Sequence, residues 1–292
     1  MKSPRRVARS CCIGSVPNPS AFPGAEGLCR ASWPACGLEG SDFRFSLLRG
    51  EFLSTTFDEL LRALVVLIAT GIMAMFIDRK PWGYFGMPLR NAFRASFWIG
   101  AAIGLGVLAL QLEIMHLCGW FDYGSVQLHA GAIVAFGLLW ALIFLCVGIS
   151  EEGVLRGYVQ RVTTDGLSML PGSWSFWTSA VLFSFVFAAA HLANPGEDKF
   201  GIIMVFIDGM AMCFSLWRTG NLWFAIGTHA WDWGQTFLFG TPNSGLHGQH
   251  ALMNPSFHGP TLLTGGADGP EAIVLRRGSS NTAQLLGLAE RV

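Results

Sequence analysis

Apolar residues in this chain collect into long unbroken runs with the polar residues gathered between them, the distribution that a lipid solvent imposes. The runs are Leu60 to Ile77, Phe97 to Leu117, Ala130 to Ile149, Ser175 to Ala190, Phe200 to Trp217 and Leu222 to Phe239. A helix needs roughly 17 to 25 residues to cross the hydrocarbon layer, and each run is of about that length. Barrel strands would alternate apolar with polar over about ten residues. These runs are instead continuously apolar and rich in Leu, Ala, Ile and Phe, so helices are the spanning structure they fit. The predicted fold is all-α, a polytopic membrane bundle of about six or more transmembrane helices.

The connections at 194–199 and 218–221 are short enough to make consecutive helices antiparallel neighbours. The glycines between Gly100 and Gly106 allow helix backbones to approach closely. Residues 1–50 mix Pro, Gly, Ser, Cys and Arg without an apolar period and read as a disordered N-terminal tail. Residues 51–245 form the membrane-embedded helical domain, and 246–292 read as a Gly/Pro/His-rich polar C-terminal tail with no seventh span. Arg79, Lys80, Arg90 and Arg94 put the 78–96 loop on the cytoplasmic side, together with the helix ends near Glu151 and Arg218, although Arg44, Arg49 and Arg62 flank the opposite end of the first helix.

Composition sharpens this picture. Of 292 residues 52% are hydrophobic and 13% charged, against roughly a quarter charged in ordinary soluble domains. Lys plus Arg and Asp plus Glu each number 19, so no basic excess exists to neutralise a phosphate backbone, and nucleic acid is excluded as a partner. Membrane lipid is the partner implied. The seven cysteines lack the paired short spacing of zinc sites and read as small packing residues. His247, His250 and His258 sit in a Gly/Pro-rich stretch and read as a solvated polar surface.

A charge inside a bilayer is costly, so ionisable residues in membrane helices usually face one another and mark a function. One cluster is Glu151-Glu152-Gly153-Val154-Leu155-Arg156, where Glu152 and Arg156 share a helical face and can pair. Glu151 points elsewhere without an in-helix partner, as a proton-transfer group would; solvation of a helix end is the competing reading. The second cluster ends the fourth run at His191, which could equally be an interfacial cap. The third is His229-Ala230-Trp231-Asp232-Trp233, which could equally be structural glue between helices. Together they bring two Glu, an Arg, two His and an Asp onto three helices. Peptide hydrolysis needs such a set: a base for water, a group to orient that water, and donors for the oxyanion. No His-Glu-x-x-His helix and no Gly-x-Ser-x-Gly elbow is present.

Glu151-Glu152-x-x-x-Arg156, then Phe187-x-x-x-His191, then His229 in the last apolar run resemble the CPBP family of intramembrane endopeptidases. That family includes the CAAX prenyl endopeptidases and the bacterial lysostaphin-resistance-like, abortive-infection and bacteriocin-immunity proteins. The likeness covers residues 95 to 245, and the stretch from Gly220 to Gln235 is similar to bacterial members. The resemblance implies that Glu151 and His191 activate the attacking water, that Glu152 and Arg156 brace the site, and that His229 supports the oxyanion. It implies a membrane-associated protein or peptide as substrate and a bacterial plasma (inner) membrane as location. It allows a metal-free glutamate mechanism, which is the expectation here, or a zinc site on Glu151, His191 and His229. The family places Asn or Asp four residues after its last His, whereas here Asp232 follows at three and Trp233 at four. The second oxyanion donor is therefore Asp232 or the Trp233 indole. The alternatives are a proton-coupled transporter using the buried Glu, Asp208 and His, and a catalytically idle immunity or scaffold member of the family.

Overall fold

Runs of Leu, Ala, Ile and Phe without internal proline can satisfy their own backbone hydrogen bonds in lipid only as helices. The computed structural model, which describes residues 51–194, 196–197, 199–259 and 261–273, shows them so. Helix α1 is Glu51–Ile72, running on through a π turn, Met73–Ile77. Helix α2 is Ala95–Leu117, and α3 is Ala130–Glu151. Helix α4 is Gln160–Gly166, α5 is Trp174–His191 and α6 is Lys199–Thr219. The short helices α7, Trp223–Thr228, and α8, Ala230–Trp233, follow, with a π turn at Gly234–Phe239. A last helical turn, α9, is Thr261–Thr264. Among the described residues five helices are long and apolar enough to cross a membrane. All described residues belong to the unit Phe45–Val292; the tail expected at 1–50 and the polar stretch from 274 lie outside them.

Two helical runs differ from their sequence reading. The third does not stop at Ile149: it continues through a π-helical stretch, Glu152–Val159, into α4, making one 37-residue helix from Ala130 to Gly166. Polarity alone does not end it, since the charges of Glu152 and Arg156 pair with each other along the helix. Glu151 and Glu152 therefore lie inside a helix rather than at its end. The sixth run breaks at His229, where the weak helix formers Gly227, Thr228 and Gly234 cluster.

A small antiparallel sheet also forms outside the helices. Strand β1, Phe121–Val126, pairs with β2, Met253–Phe257, in the register Phe121 to Phe257 and Val126 to Met253. Part of the stretch read as a polar tail is thus built into the fold. Phe121 joins Leu108, Leu112, Met115 and Phe239 in a buried cluster, which ties the sheet to α2. Further along, Glu271 lies in a 3-10 turn, Pro270–Ile273, where its carboxylate accepts from Gln235 Nε2 at 2.6 Å and from the Ser244 backbone N–H at 2.6 Å. Gln111 of α2 donates to the Pro270 carbonyl. Large apolar side chains such as Phe76, Leu110, Leu138 and Phe185 face outwards, as lipid contact requires.

The closest helix approach is between α2 and α7, where a Cβ on Gly104 would meet the Thr228 carbonyl oxygen at 2.5 Å and one on Gly100 or Gly227 would strike backbone. Gly106, on the same helix, faces open space. Gly104→Leu should therefore lower thermal stability in detergent by about 1–3 kcal/mol through overpacking, whereas Gly106→Leu should be neutral or stabilising. Equal melting temperatures for the two variants would refute this packing.

Burial pushes the Glu271 carboxyl from its ordinary 4.5 up to about 8. Between those values the folded chain holds a proton that the unfolded chain has released, so stability falls as pH rises across the window. Glu271→Gln should flatten that fall, with its gain over wild type larger at pH 8 than near pH 5. Parallel pH profiles of melting temperature would show that the carboxyl is not the group responsible.

Candidate active site

The long helix through Ala130–Gly166 carries Glu152 and Arg156 on one face, and their pairing closes at 2.9 Å between Arg156 Nη1 and Glu152 Oε1. Both side chains are almost wholly enclosed, at 0% and 1% exposure. The guanidinium also lies over the Phe187 ring of α5, 4.1 Å from its centroid. Gly209 of α6 makes room for it, since a Cβ there would lie 3.1 Å from Arg156 Nη2. Three elements therefore enclose one cation.

The same Glu152 Oε1 stands 3.8 Å from His229 Nε2, and His229 Nδ1–H donates to Asp232 Oδ2 at 2.8 Å. Arg156, Glu152, His229 and Asp232 form a continuous charged line across two segments distant in sequence. The imidazole rests against α3 at Gly148, where a Cβ would come within 2.8 Å of its Cδ2. The break between α7 and α8 falls at His229 itself, which frees the ring from a continuous helix wall.

The remaining sequence candidates are placed as follows. No hydrogen bond among the described residues engages Glu151, which lies in the field of His229, Asp232, Glu152 and Arg156. His191, at the end of α5, donates Nδ1–H to the Phe187 carbonyl at 2.9 Å and meets the Phe187 ring edge-on, 4.7 Å between centroids. It joins the line through Phe187; no hydrogen bond among the described residues links it to Glu151 or His229. Asp208 on α6 lies in the field of Arg156, Glu152 and His229. Trp233 gives its indole N–H to the Gly137 carbonyl at 3.0 Å, so neither it nor Asp232 is free as the second oxyanion donor. The alternative zinc set Glu151, His191 and His229 does not gather: among the described residues no three His, Cys, Asp or Glu are grouped to hold a metal ion.

Two participants escaped the sequence reading. Gly148 is one glycine among many in an apolar run. Gln160 accepts from the Cys213 thiol at 3.2 Å, and its only sequence signal is a position four residues after Arg156 on the same helix. Beside His229 opens an apolar cavity of about 250 Å³ walled by Phe97, Trp98, Phe144 and Trp233. The apolar chamber meets the charged line at His229, and none of the line's carboxylates is among its walls.

A family model described as type II CAAX prenyl endopeptidase Rce1-like matches residues 133–232, a stretch that runs from α3 to Asp232 and contains every member of the charged line. No curated protein and no solved structure matches the chain. Over residues 133–232 the chain is thus similar to the Rce1-like type II CAAX prenyl endopeptidases, a likeness that together with its five long apolar helices supports a membrane-embedded protease of the CAAX type.

Proposed function

We propose that the protein cleaves a peptide bond of a membrane-associated protein or peptide with water activated by Glu151, without a metal, in the inner membrane of a bacterium. The observation that carries this reading is the line Arg156–Glu152–His229–Asp232, which divides the two adjacent glutamates by role. Glu152 is locked by Arg156 and faces His229. Glu151 is left without a hydrogen bond among the described residues and is the carboxylate free to take a proton from water.

The other roles follow from donor geometry. Asp232 fixes the His229 ring through Nδ1 and leaves Nε2 facing the site, the position from which an N–H of the doubly protonated ring reaches a developing oxyanion. His191 Nδ1 is held by the Phe187 carbonyl, which leaves Nε2 as the ring atom available to a substrate or water. The apolar cavity beside His229 receives the lipid-embedded part of the substrate. Proton transfer then runs from water to Glu151, and from Glu151 to the leaving amine.

The test separates base from brace. Glu151→Gln should reduce peptide cleavage by at least about 100-fold with an unchanged melting temperature. Arg156→Ala should destabilise the fold by about 3–5 kcal/mol, because it strands Glu152 in an enclosed apolar site. Full activity in Glu151→Gln would refute its assignment as base, and unchanged stability in Arg156→Ala would refute the brace.

Exhaustive chelation should leave cleavage intact. Activity lost to a chelator and restored stoichiometrically by Zn²⁺ would decide for a metalloprotease.

A further inference from the structure

His191 and His229 sit on different elements, the end of α5 and the α7–α8 break, and no hydrogen bond among the described residues joins them. Each is followed, three and six residues on, by a side-chain amide with a distant partner. Asn194 Nδ2 donates to the Ser244 carbonyl at 3.0 Å, and Gln235 Nε2 donates to Glu271 Oε2 at 2.6 Å. Ser244 closes the circuit, because its backbone N–H donates to Glu271 Oε1 at 2.6 Å. The two oxygens of one carboxyl group thus receive two branches, one leading to each histidine.

Both branches are short and closely packed. On the first, the Asn194 N–H closes a turn on the His191 carbonyl at 3.0 Å. The backbone then runs against Gly245, so that a Cβ on Gly196 would lie 2.4 Å from the Gly245 carbonyl oxygen. On the second, Gln235 lies in the π turn Gly234–Phe239, directly after Asp232 and Trp233, and is fully enclosed. Its Nε2 also donates to the Pro242 carbonyl at 2.8 Å. The carboxyl group has its own seat. Gln111 of α2 donates to the Pro270 carbonyl, and the Gly245 N–H donates to the Asp268 carbonyl at 2.9 Å. Gly269 has φ +121°, and a Cβ there would lie 2.5 Å from Glu271 Oε2, so glycine is what leaves the seat clear.

We propose that Glu271 is a positioning residue of the active site, holding the His191 segment and the His229 segment in fixed relation through its two carboxyl oxygens. A first tie between these segments runs through Phe187, Arg156 and Glu152. Glu271 supplies a second, and a segment held at one point can pivot where one held at two cannot. Two imidazoles that serve one reacting bond need that restraint, since a misplacement of about 1 Å costs on the order of 100-fold in rate. Glu271 lies beyond the stretch 133–232, so this role falls to the chain's own C-terminal segment. The inference rests on His191 and His229 as working residues of the proposed function and needs no choice between a glutamate base and a metal.

The test follows the full chain in detergent by amide hydrogen exchange and by cleavage of a lipid-anchored quenched-fluorescence peptide. In Glu271→Leu, which removes both acceptors, exchange should accelerate at 192–194 and across Gly234–Phe239 but not in α1. Its kcat per folded molecule should fall at least about tenfold, with KM within about twofold of wild type. Glu271→Gln keeps an acceptor for the Ser244 N–H and presents a donor to Gln235 Oε1, which is buried without a partner among the described residues, so it should restore both readouts. Asn194→Ala cuts the His191 branch alone. It should loosen 192–194, leave Gly234–Phe239 protected and lower kcat, and it decides the question should Glu271→Leu not fold. Unchanged exchange at either segment in folded Glu271→Leu, or unchanged kcat per folded molecule, would overturn the proposal. If wild type cleaves no peptide while the exchange pattern holds, the hydrolytic reading falls and the tie between the two segments stands.

Discussion

The arrangement of this protein turns on one ion pair in a place where charges are expensive. Arg156 and Glu152 are both enclosed within an apolar bundle, and neither could stay there without the other. Close pairing at adjacent helical turns does not by itself offset their desolvation. The Phe187 ring on the guanidinium face, the clearance at Gly209 and the approach of His229 complete the shell. Each comes from a different element, so the pair joins α5, α6 and the α7–α8 break to the long helix. What can be spared from this shell becomes available for chemistry: Glu151 is the neighbouring carboxylate that the pair does not consume.

Glycine placement is the second half of the same device. A bundle that carries charges must bring helices close enough to exclude lipid from them, and close approach in membranes depends on small residues. Gly100, Gly104 and Gly227 let α2 and α7 touch backbone to backbone, and this contact presses the following His229 towards α3. There Gly148 supplies the hollow in which the imidazole rests. The geometry around His229 is therefore set in part by positions with no side chain.

Much of this was legible in the sequence because lipid imposes simple rules. Continuous apolar runs could only be helices, and the spacing of Glu152 and Arg156 foretold their pair. The misreadings share a cause, which is that polarity was taken as a boundary. Glu151 and Glu152 looked like the end of a helix, yet it runs on to Gly166 with the Glu152–Arg156 pair inside it. The polar C-terminal stretch looked unstructured because its partners, β1 and Gln235, are distant in sequence, and no local pattern announces such pairing. The break at His229 was hidden inside an apolar run, where only Gly227, Thr228 and Gly234 hinted at it.

That break gives the unusual spacing after His229 a physical reading. With the helix interrupted there, Asp232 at the third position turns back to the ring and accepts from Nδ1, while Trp233 at the fourth turns to the Gly137 carbonyl of α3. An Asn or Asp at the fourth position would have had to compete with that helix contact for its direction. The two tasks are thus divided between neighbouring residues: Asp232 orients the imidazole, and Trp233 pins the segment to α3. Such a division preserves an oriented His229 but removes a separate side-chain donor, so on the proposed reading an oxyanion formed here leans on His229 itself.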